Sequence, residues 1–176
     1  MNCILKTKRL TLRPLNLSDL ETVHQYASDT ENTKYIIRLP NYSIEETKAF
    51  LVRIANEWKK DDPSFYEFAI DLDNRHIGAV SVYLDDERAE GELGWIIHKQ
   101  FWGNGYATET AFALKEFCAN ELKLKKITAC CDNENVQSIK VIKKLGMELV
   151  DDNIVRRYIK TAVVSTGSRY SVSINL

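Results

Sequence analysis

Hydrophobic and polar residues recur with two distinct periods along this chain, and the two periods separate predicted strands from predicted helices. Residues 7–13 alternate, with Leu10 and Leu12 between polar neighbours, which predicts a half-buried strand. In 43–60, Phe50, Ile54 and Trp58 recur every four residues, which predicts an amphipathic helix. Taken along the whole chain, the pattern predicts strands at 7–13, 65–72, 76–84, 91–97, 126–131, 147–160 and 169–174, and helices at 18–28, 43–60, 107–122 and 136–145.

Capping residues occur at several of these boundaries. Ser18 and Glu21 have the spacing of a capping box, as do Ser43 and Glu46, and each pair predicts the start of a helix. Gly146 follows the last periodic residue of the fourth helix and predicts its end.

The order of the elements, β-α-α-β-β-β-α-β-α-β-β, predicts a single α/β (α+β) domain over residues 1–176. The strands between 65 and 97 form a predicted antiparallel meander, with Asp73-Asn74 as a hairpin turn. The helix at 107–122 joins two neighbouring strands and predicts a parallel pair. We therefore expect a mixed, mostly antiparallel sheet of about seven strands with helices on both faces.

Composition narrows the function mainly by exclusion. The formal net charge is −1, which argues against a DNA-binding protein because that class carries a basic excess. The four cysteines form no C-x-x-C pair and have no histidine cluster beside them, so we predict no metal site and free thiols. No apolar run approaches the roughly 20 residues that span a bilayer, and no secretory signal is recognisable. These observations predict a cytoplasmic protein that is not bound to membrane.

The most informative segment is Trp102-Gly-Asn-Gly-Tyr-Ala107, a loop with two glycines that runs from a strand directly into a helix. Glycines allow a tight turn and the close approach of a ligand. A helix start adds unpaired N–H groups and partial positive charge. Such a loop is typical of a pyrophosphate site, although a plain tight turn can have the same sequence. A dinucleotide-binding loop fits poorly because Thr108 stands at its third glycine position, and the G-K-[ST] of a phosphate-loop NTPase is absent.

With its neighbouring segments, this loop resembles that of the GNAT superfamily of N-acetyltransferases, and within it the Rim-type enzymes that acetylate protein N-termini. The family pattern Q/R-x-x-G-x-G/A can be aligned with this sequence in two registers: from Trp102 to Ala107, with Trp in place of Gln or Arg, and from Gln100 to Gly105. The strand that begins at Glu92 and leads into the loop belongs to the same resemblance.

Two later segments extend the resemblance over nearly the whole chain. Asn135-x-x-Ser138 is similar to the family's N-x-x-S segment, and Lys144-Leu-Gly-Met147 to its K-L-G-F ending. The resemblance implies acetyl-CoA as co-substrate, held by backbone groups of the strand end and of the loop, and by Asn135. Asn135 is equally suited to cap the helix that follows it. The implied cofactor-binding residues of the strand end and loop are Ile96, Ile97, His98, Trp102, Gly103, Asn104, Gly105, Tyr106 and Ala107.

The implied reaction is direct attack of an amine on the thioester. A protein α-amine has a pKa of about 7.7–8.0 and a lysine amine one near 10.4, so an α-amine needs the weaker base. We expect Glu92 to be that base, directly or through a water, although an exposed carboxylate on a strand needs no such role. The backbone N–H near Ile97 would polarise the carbonyl. By the resemblance, Ser138 protonates the leaving thiolate, because Ile142 stands where many relatives have a tyrosine.

The identity of the acceptor stays open in the sequence. We expect Tyr35 and Trp95 to contribute to its pocket. A protein N-terminal α-amine is the leading interpretation. The alternatives are a small amine, such as a polyamine, an aminoglycoside or an amino acid, and a binding module for acetyl-CoA that lacks catalysis. Both a monomer and a homodimer are compatible with the sequence.

Overall fold

A computed structural model describes residues 3–174 as one eight-stranded sheet with four α-helices. The strands are β1 (Leu5–Lys6), β2 (Leu10–Pro14), β3 (Phe65–Leu72), β4 (Arg75–Leu84), β5 (Glu90–Ile97), β6 (Lys126–Asp132), β7 (Glu148–Arg157) and β8 (Val164–Ser173). The helices are α1 (Leu20–Ala27), α2 (Ile44–Glu57), α3 (Tyr106–Asn120) and α4 (Val136–Lys144), with short 3-10 helices at Leu17–Asp19 and Lys99–Phe101. Within residues 3–174, no helix has the length and apolar character needed to cross a membrane.

The strands lie in the order β1-β2-β3-β4-β5-β6-β8-β7. Only β5 and β6 pair in parallel, and the other neighbours are antiparallel. The predicted fold class is confirmed, and the two-residue β1 adds an eighth strand that was too short to predict. Asp73 and Asn74 both have positive φ angles of 49° and 64°, as the turn of a β3–β4 hairpin requires.

The first helical segment begins earlier than predicted. Asn16, not Ser18, is the capping residue: its Oδ1 accepts a hydrogen bond from the N–H of Ser18 at 2.8 Å, and Asp19 Oδ2 accepts from the N–H of Asn16 at 3.0 Å. The predicted Ser18 capping box is therefore wrong, because a reciprocal pair two residues upstream satisfies the same kind of unpaired N–H groups. At α2 the predicted cap is confirmed, since Ser43 Oγ accepts from the N–H of Glu46.

The last strand also begins earlier than predicted, at Val164 instead of residue 169. Its first half is rich in serine, threonine and glycine, a composition usually found in loops. Gly167 explains why this segment can be a strand: a Cβ at that position would overlap the side chain of Arg156, which packs across it from β7. Close approach of a neighbour is one of the few reasons for a glycine inside a strand.

Two apolar clusters cover the two faces of the sheet. The larger lies under α3 and α4 and includes Phe68, Leu114 and Ile142; the smaller lies under α1 and α2 and includes Val23 and Leu51. Helices therefore pack on both faces, as the sequence predicts.

The sheet opens between β5 and β6. Their pairing covers only Glu90–Lys126 to Glu92–Thr128. Beyond it, β5 continues to Ile97, while β6 continues to Asp132 and stays paired with β8. The resulting gap points toward the glycine loop, which leaves the end of β5 through the second 3-10 helix.

Candidate active site

The glycine loop presents the start of α3 without a side-chain cap. Gly103 and Gly105 have φ angles of 80° and 78°, and Gly105 is the capping residue of α3. A Cβ at Gly103 would meet no atom within 4 Å, so the space before the loop is open. Asn104 Nδ2 donates to the carbonyls of Phe101 and Trp102, at 3.1 Å each, and fixes the loop conformation. The first N–H groups of α3 are therefore free to bind an anion.

Two side chains fix the end of β5 beside this loop. Trp102 Nε1 donates to the carbonyl of Ile97 at 2.7 Å, and Asn32 Nδ2 donates to the same carbonyl at 3.1 Å. Asn32 is buried, and its Oδ1 accepts from the N–H of Lys99 at 2.6 Å. Sequence analysis missed Asn32, since it lies on the connection between α1 and α2 and only the tertiary fold brings it here.

An N-terminal clamp holds the first turn of α3. Glu109 Oε1 accepts from Thr7 Oγ1 at 2.5 Å and from the N–H of Arg9 at 2.9 Å, and Glu109 Oε2 accepts from Arg9 Nε at 2.7 Å. Burial acts to raise the pKa of Glu109, but these hydrogen bonds outweigh it and lower that pKa. The guanidinium of Arg9 also lies 4.6 Å from the centre of the Tyr106 ring. Arg9 therefore compensates a carboxylate that would otherwise oppose anion binding at this helix start.

The backbone groups at the end of β5 differ in their hydrogen-bond partners. His98 donates its N–H to the carbonyl of Ile77 at 2.8 Å, and its own carbonyl accepts from the N–H of Phe101 at 2.8 Å. Ile96 is in register with Ala79 of β4, and alternate residues of a strand direct their backbone groups to opposite sides. The N–H of Ile97 is therefore the group that faces the gap, and binding of the cofactor by Ile96, Ile97 and His98 stays a prediction.

Two predicted site residues of β5, Trp95 and Glu92, lie on opposite faces of the sheet. Ser138 lies in the first turn of α4, and its N–H donates to the Oδ1 of Asn135 at 3.2 Å, so Asn135 caps this helix. Trp95 packs against the larger cluster and donates from Nε1 to Ser138 Oγ at 3.3 Å. Trp95 is therefore on the α3/α4 side of β5, and its side chain points away from that of Glu92, three residues earlier. A role of Trp95 in acceptor binding stays a prediction.

Glu92 lies on the other face, which α1 and α2 leave uncovered around β5, β6 and β8. It lines an open groove with Glu90, Lys126, Thr128, Val150, Arg169 and Ser171. Within the groove Glu90 and Lys126 form an ion pair. Cys130 Sγ lies 3.7 Å from Glu92 Oε2 and accepts from Arg169 Nε at 3.4 Å. Burial raises the pKa of the Cys130 thiol. The charged groups of the groove are two carboxylates, Glu90 and Glu92, and two cations, Lys126 and Arg169.

Tyr35 lies on the connection between α1 and α2, beside β7. Its carbonyl accepts from Arg156 Nη2 at 3.1 Å, and its ring is 4.8 Å from Lys34 Nζ. The carbonyl of Ile37 accepts from the N–H of Ile159 at 3.0 Å. The connection is therefore fixed to β7, and a role of the Tyr35 ring in acceptor binding stays a prediction.

Comparison with known proteins places this geometry in a family. A family model described as an acetyltransferase (GNAT) domain matches residues 9–148. The N-acetyltransferase YnaD of Bacillus subtilis (strain 168), itself uncharacterised, is 33% identical over 143 residues, which cover 80% of each chain. The spermidine N(1)-acetyltransferase of Escherichia coli (strain K12) is 29% identical over 141 residues, 78% of this chain and 72% of that protein.

Solved structures share the fold over nearly the whole chain. An acetyltransferase of the GNAT family from Bacillus anthracis superposes with a TM-score of 0.83 at 26% identity, covering 97% of this chain and 98% of that one. RimL, a ribosomal L7/L12 alpha-N-protein acetyltransferase in complex with coenzyme A, superposes with a TM-score of 0.81 at 17% identity, covering 98% of both chains. At that identity the second likeness concerns the fold alone.

Proposed function

Since this chain belongs to the GNAT acetyltransferase family, we propose that it acetylates the α-amine of a protein N-terminus with acetyl-CoA as the donor. The observation that supports this acceptor is the balance of charge in the groove beside Glu92. Lys126 forms an ion pair with Glu90 there. Cys130 Sγ connects Arg169 with Glu92, because it accepts a hydrogen bond from Arg169 and donates one to Glu92.

This charge arrangement suits a singly charged amine next to hydrogen-bond acceptors. A polyamine would bring several positive charges into a groove that already holds Arg169 and Lys126, and like-charge contacts of this kind exclude ligands. A peptide N-terminus brings one ammonium group for Glu92 and carbonyl oxygens that Arg169 can donate to. An extended peptide also matches a groove that is open to solvent.

The loop and the gap fit acetyl-CoA as the donor. Uncapped N–H groups at the start of α3 suit the diphosphate, and the N–H of Ile97 suits the pantetheine arm, which would lie in the gap like an added strand. An acetyl group in the gap between β5 and β6 would be open to the groove on one face and to Ser138 on the other.

In this placement, attack by the amine and protonation of the thiolate take place on opposite faces of the sheet. Glu92 attracts the ammonium form of the amine, which loses one proton to solvent before its nitrogen attacks the thioester carbon from the groove. The nitrogen gives its second proton to a base as the amide forms. The carbon–sulfur bond then breaks, and the thiolate takes a proton either from a water held by Ser138 Oγ or from Ser138 Oγ itself, which regains a proton from solvent. The hydrogen bond from Trp95 Nε1 to Ser138 Oγ makes that hydroxyl a better proton donor.

A small amine is the second candidate acceptor. It is favoured by one observation, the similarity of the chain to the E. coli spermidine N(1)-acetyltransferase.

Competition between acceptors tests the proposal. The purified protein is incubated with acetyl-CoA and either a panel of peptides with free N-termini, the same peptides with formylated N-termini, or spermidine. Free thiol is followed over time, and mass spectrometry locates the acetyl group. We expect acetylation at free α-amines, none on formylated peptides, and a higher kcat/KM for the best peptide than for spermidine. A higher kcat/KM for spermidine would contradict the proposed acceptor, and tight acetyl-CoA binding without turnover on any amine would contradict the proposed reaction.

A further inference from the structure

Glu67 on β3 is a buried carboxylate that belongs to none of the ion pairs found within residues 3–174. Its side chain accepts one hydrogen bond, from the hydroxyl of Tyr83 on β4, at 3.2 Å. The other charged or titratable groups that face it are Arg53 of α2 and Tyr26 of α1. Burial raises the pKa of Glu67 to about 7, because it outweighs the hydrogen bond from Tyr83 and the charge of Arg53, which both lower that pKa.

The sheet register places Glu67 in line with the opening of the gap. Glu67 is opposite Ser81, and Ser81 is opposite Gly94 on β5. Neighbouring strands are about 4.8 Å apart, so Glu67 and Gly94 lie roughly 10 Å apart on the same face of the sheet. Gly94 is two residues beyond Glu92, where β5 and β6 stop pairing.

Gly94 leaves the floor of the groove open at this point. A Cβ there would lie 2.9 Å from Ser81 Oγ, so a larger residue would fill the space above the strand. An amine that reaches a thioester in the gap from the groove therefore passes over Gly94.

Tyr83 connects this space with Glu67. It is opposite Glu92 in the register, its side chain is 38% exposed, and its ring stacks on Phe65 with the ring centres 4.9 Å apart. The ring is thereby held in place, with its hydroxyl on the buried carboxylate and its Cα opposite Glu92, which lines the groove.

We propose that Tyr83 and Glu67 form a proton relay for the acceptor amine, with Glu67 as the final proton acceptor. As the nitrogen attacks the thioester carbon, its proton passes to the oxygen of Tyr83, and the hydroxyl proton of Tyr83 passes to Oε2 of Glu67. Tyr83 is neutral before and after the step, and Glu67 becomes a neutral acid that releases its proton to solvent before the next cycle. Glu92, which is exposed, binds the ammonium form of the amine. The relay rests on the proposed acetyl transfer.

The chemical match with an α-amine supports Glu67 as the base. A base works best when its pKa is near the pH of the reaction, and Glu67 meets this condition for an α-amine, whose pKa is about 7.7–8.0.

The pH dependence of kcat tests the relay, because kcat reports groups that titrate in the enzyme–substrate complex. It is measured with the best amine acceptor for the wild type and for E67Q, Y83F, E92Q and E57Q. In the wild type we expect kcat to rise with pH about a midpoint near 7. E67Q and Y83F should each lose this midpoint and lower kcat at pH 7.5 by about 100-fold with little change in KM. E92Q should raise KM for the amine and keep the midpoint.

E57Q is the matched control, since Glu57 is also a buried carboxylate but is bonded to Ser64 and Lys60. It should keep the wild-type profile. Unchanged acetyl-CoA affinity would show that E67Q and Y83F are folded, and Y83F tests the relay on its own if E67Q does not fold. A midpoint near 7 that survives in E67Q and disappears in E92Q would overturn the relay but leave the acetyl transfer intact. Absence of turnover in the wild type on every amine would overturn the proposed function itself.

Discussion

Replacing Glu67 by glutamine should make the protein more stable at pH 8 and leave its stability near pH 4 almost unchanged. Glutamine has the size of the protonated carboxyl and can still accept the hydrogen bond from Tyr83. What the substitution removes is a buried negative charge that no ion pair within residues 3–174 compensates. Burial of an uncompensated charge destabilises the folded state.

The pKa of Glu67 gives the sign and the size of the effect. Its ordinary value is 4.5 and its value in the folded protein is about 7. Below pH 4.5 both states hold the proton, so the group has no effect on stability. As the pH rises from 4.5 to 7 the unfolded chain loses the proton first, so unfolding releases a proton and becomes more favourable. Above pH 7 the loss is complete, and it amounts to about 3 kcal/mol at roughly 1.4 kcal/mol for each pH unit.

Urea unfolding between pH 4 and 8, followed by tryptophan fluorescence, measures the effect as the difference between E67Q and the wild type. The difference cancels the contributions of other carboxylates, such as Asp19 and Asp132, whose pKa values are lowered and whose effects appear at more acidic pH. E57Q is an internal control, because its change in stability should have the opposite sign. Hydrogen bonds from Lys60 and Ser64 outweigh burial and lower the pKa of Glu57, so E57Q should lose stability at neutral pH. A difference between E67Q and the wild type that stays flat across this range would refute the reasoning.

Three other substitutions test the loop, the proton donor and the clamp. Gly105→Glu should abolish binding of acetyl-CoA in isothermal titration calorimetry, because a carboxylate enters the anion site; the positive φ of 78° should also cost about 1–2 kcal/mol of stability. Wild-type affinity in the folded variant would exclude the loop as the diphosphate site. Ser138→Ala should lower kcat at least 10-fold with little change in the KM for acetyl-CoA, and an unchanged kcat in steady-state assays would limit Ser138 to a structural role. Thr7→Val should lower the free energy of unfolding by about 1–2 kcal/mol, because Glu109 loses a charge-assisted hydrogen bond; unchanged stability in urea would mean that Arg9 alone holds the clamp.

Local sequence patterns were sufficient to predict most of the fold. The helices and the meander follow from hydrophobic period and turn residues, which act within a few positions of the chain. The errors have local causes too. Asn16 and Ser18 are both good capping residues, and the choice between them depends on Asp19, which also binds Arg13. The start of β8 was missed because clusters of serine, threonine and glycine are typical of loops, and pairing with β7 overrides this local preference.

The candidate site was predictable only where one short segment builds it. Gly103 and Gly105 act through their own backbone, so the sequence of the loop is enough to identify them. Asn32 and Glu67 reach the site through tertiary contacts across 65 and 16 positions of the chain, to Ile97 and Tyr83. A single sequence carries no signal for contacts of that kind.

The gap between β5 and β6 explains why the functional groups are distributed as they are. A thioester held in an opening of the sheet can be reached from both faces, so the groups that handle the amine and those that handle the thiol need not share one pocket. Glu92 and the Tyr83–Glu67 pair lie on the groove side, while Ser138 with Trp95 lies under α4. In the proposed transfer, the sheet therefore separates the proton acceptor for the nitrogen from the proton donor for the sulfur.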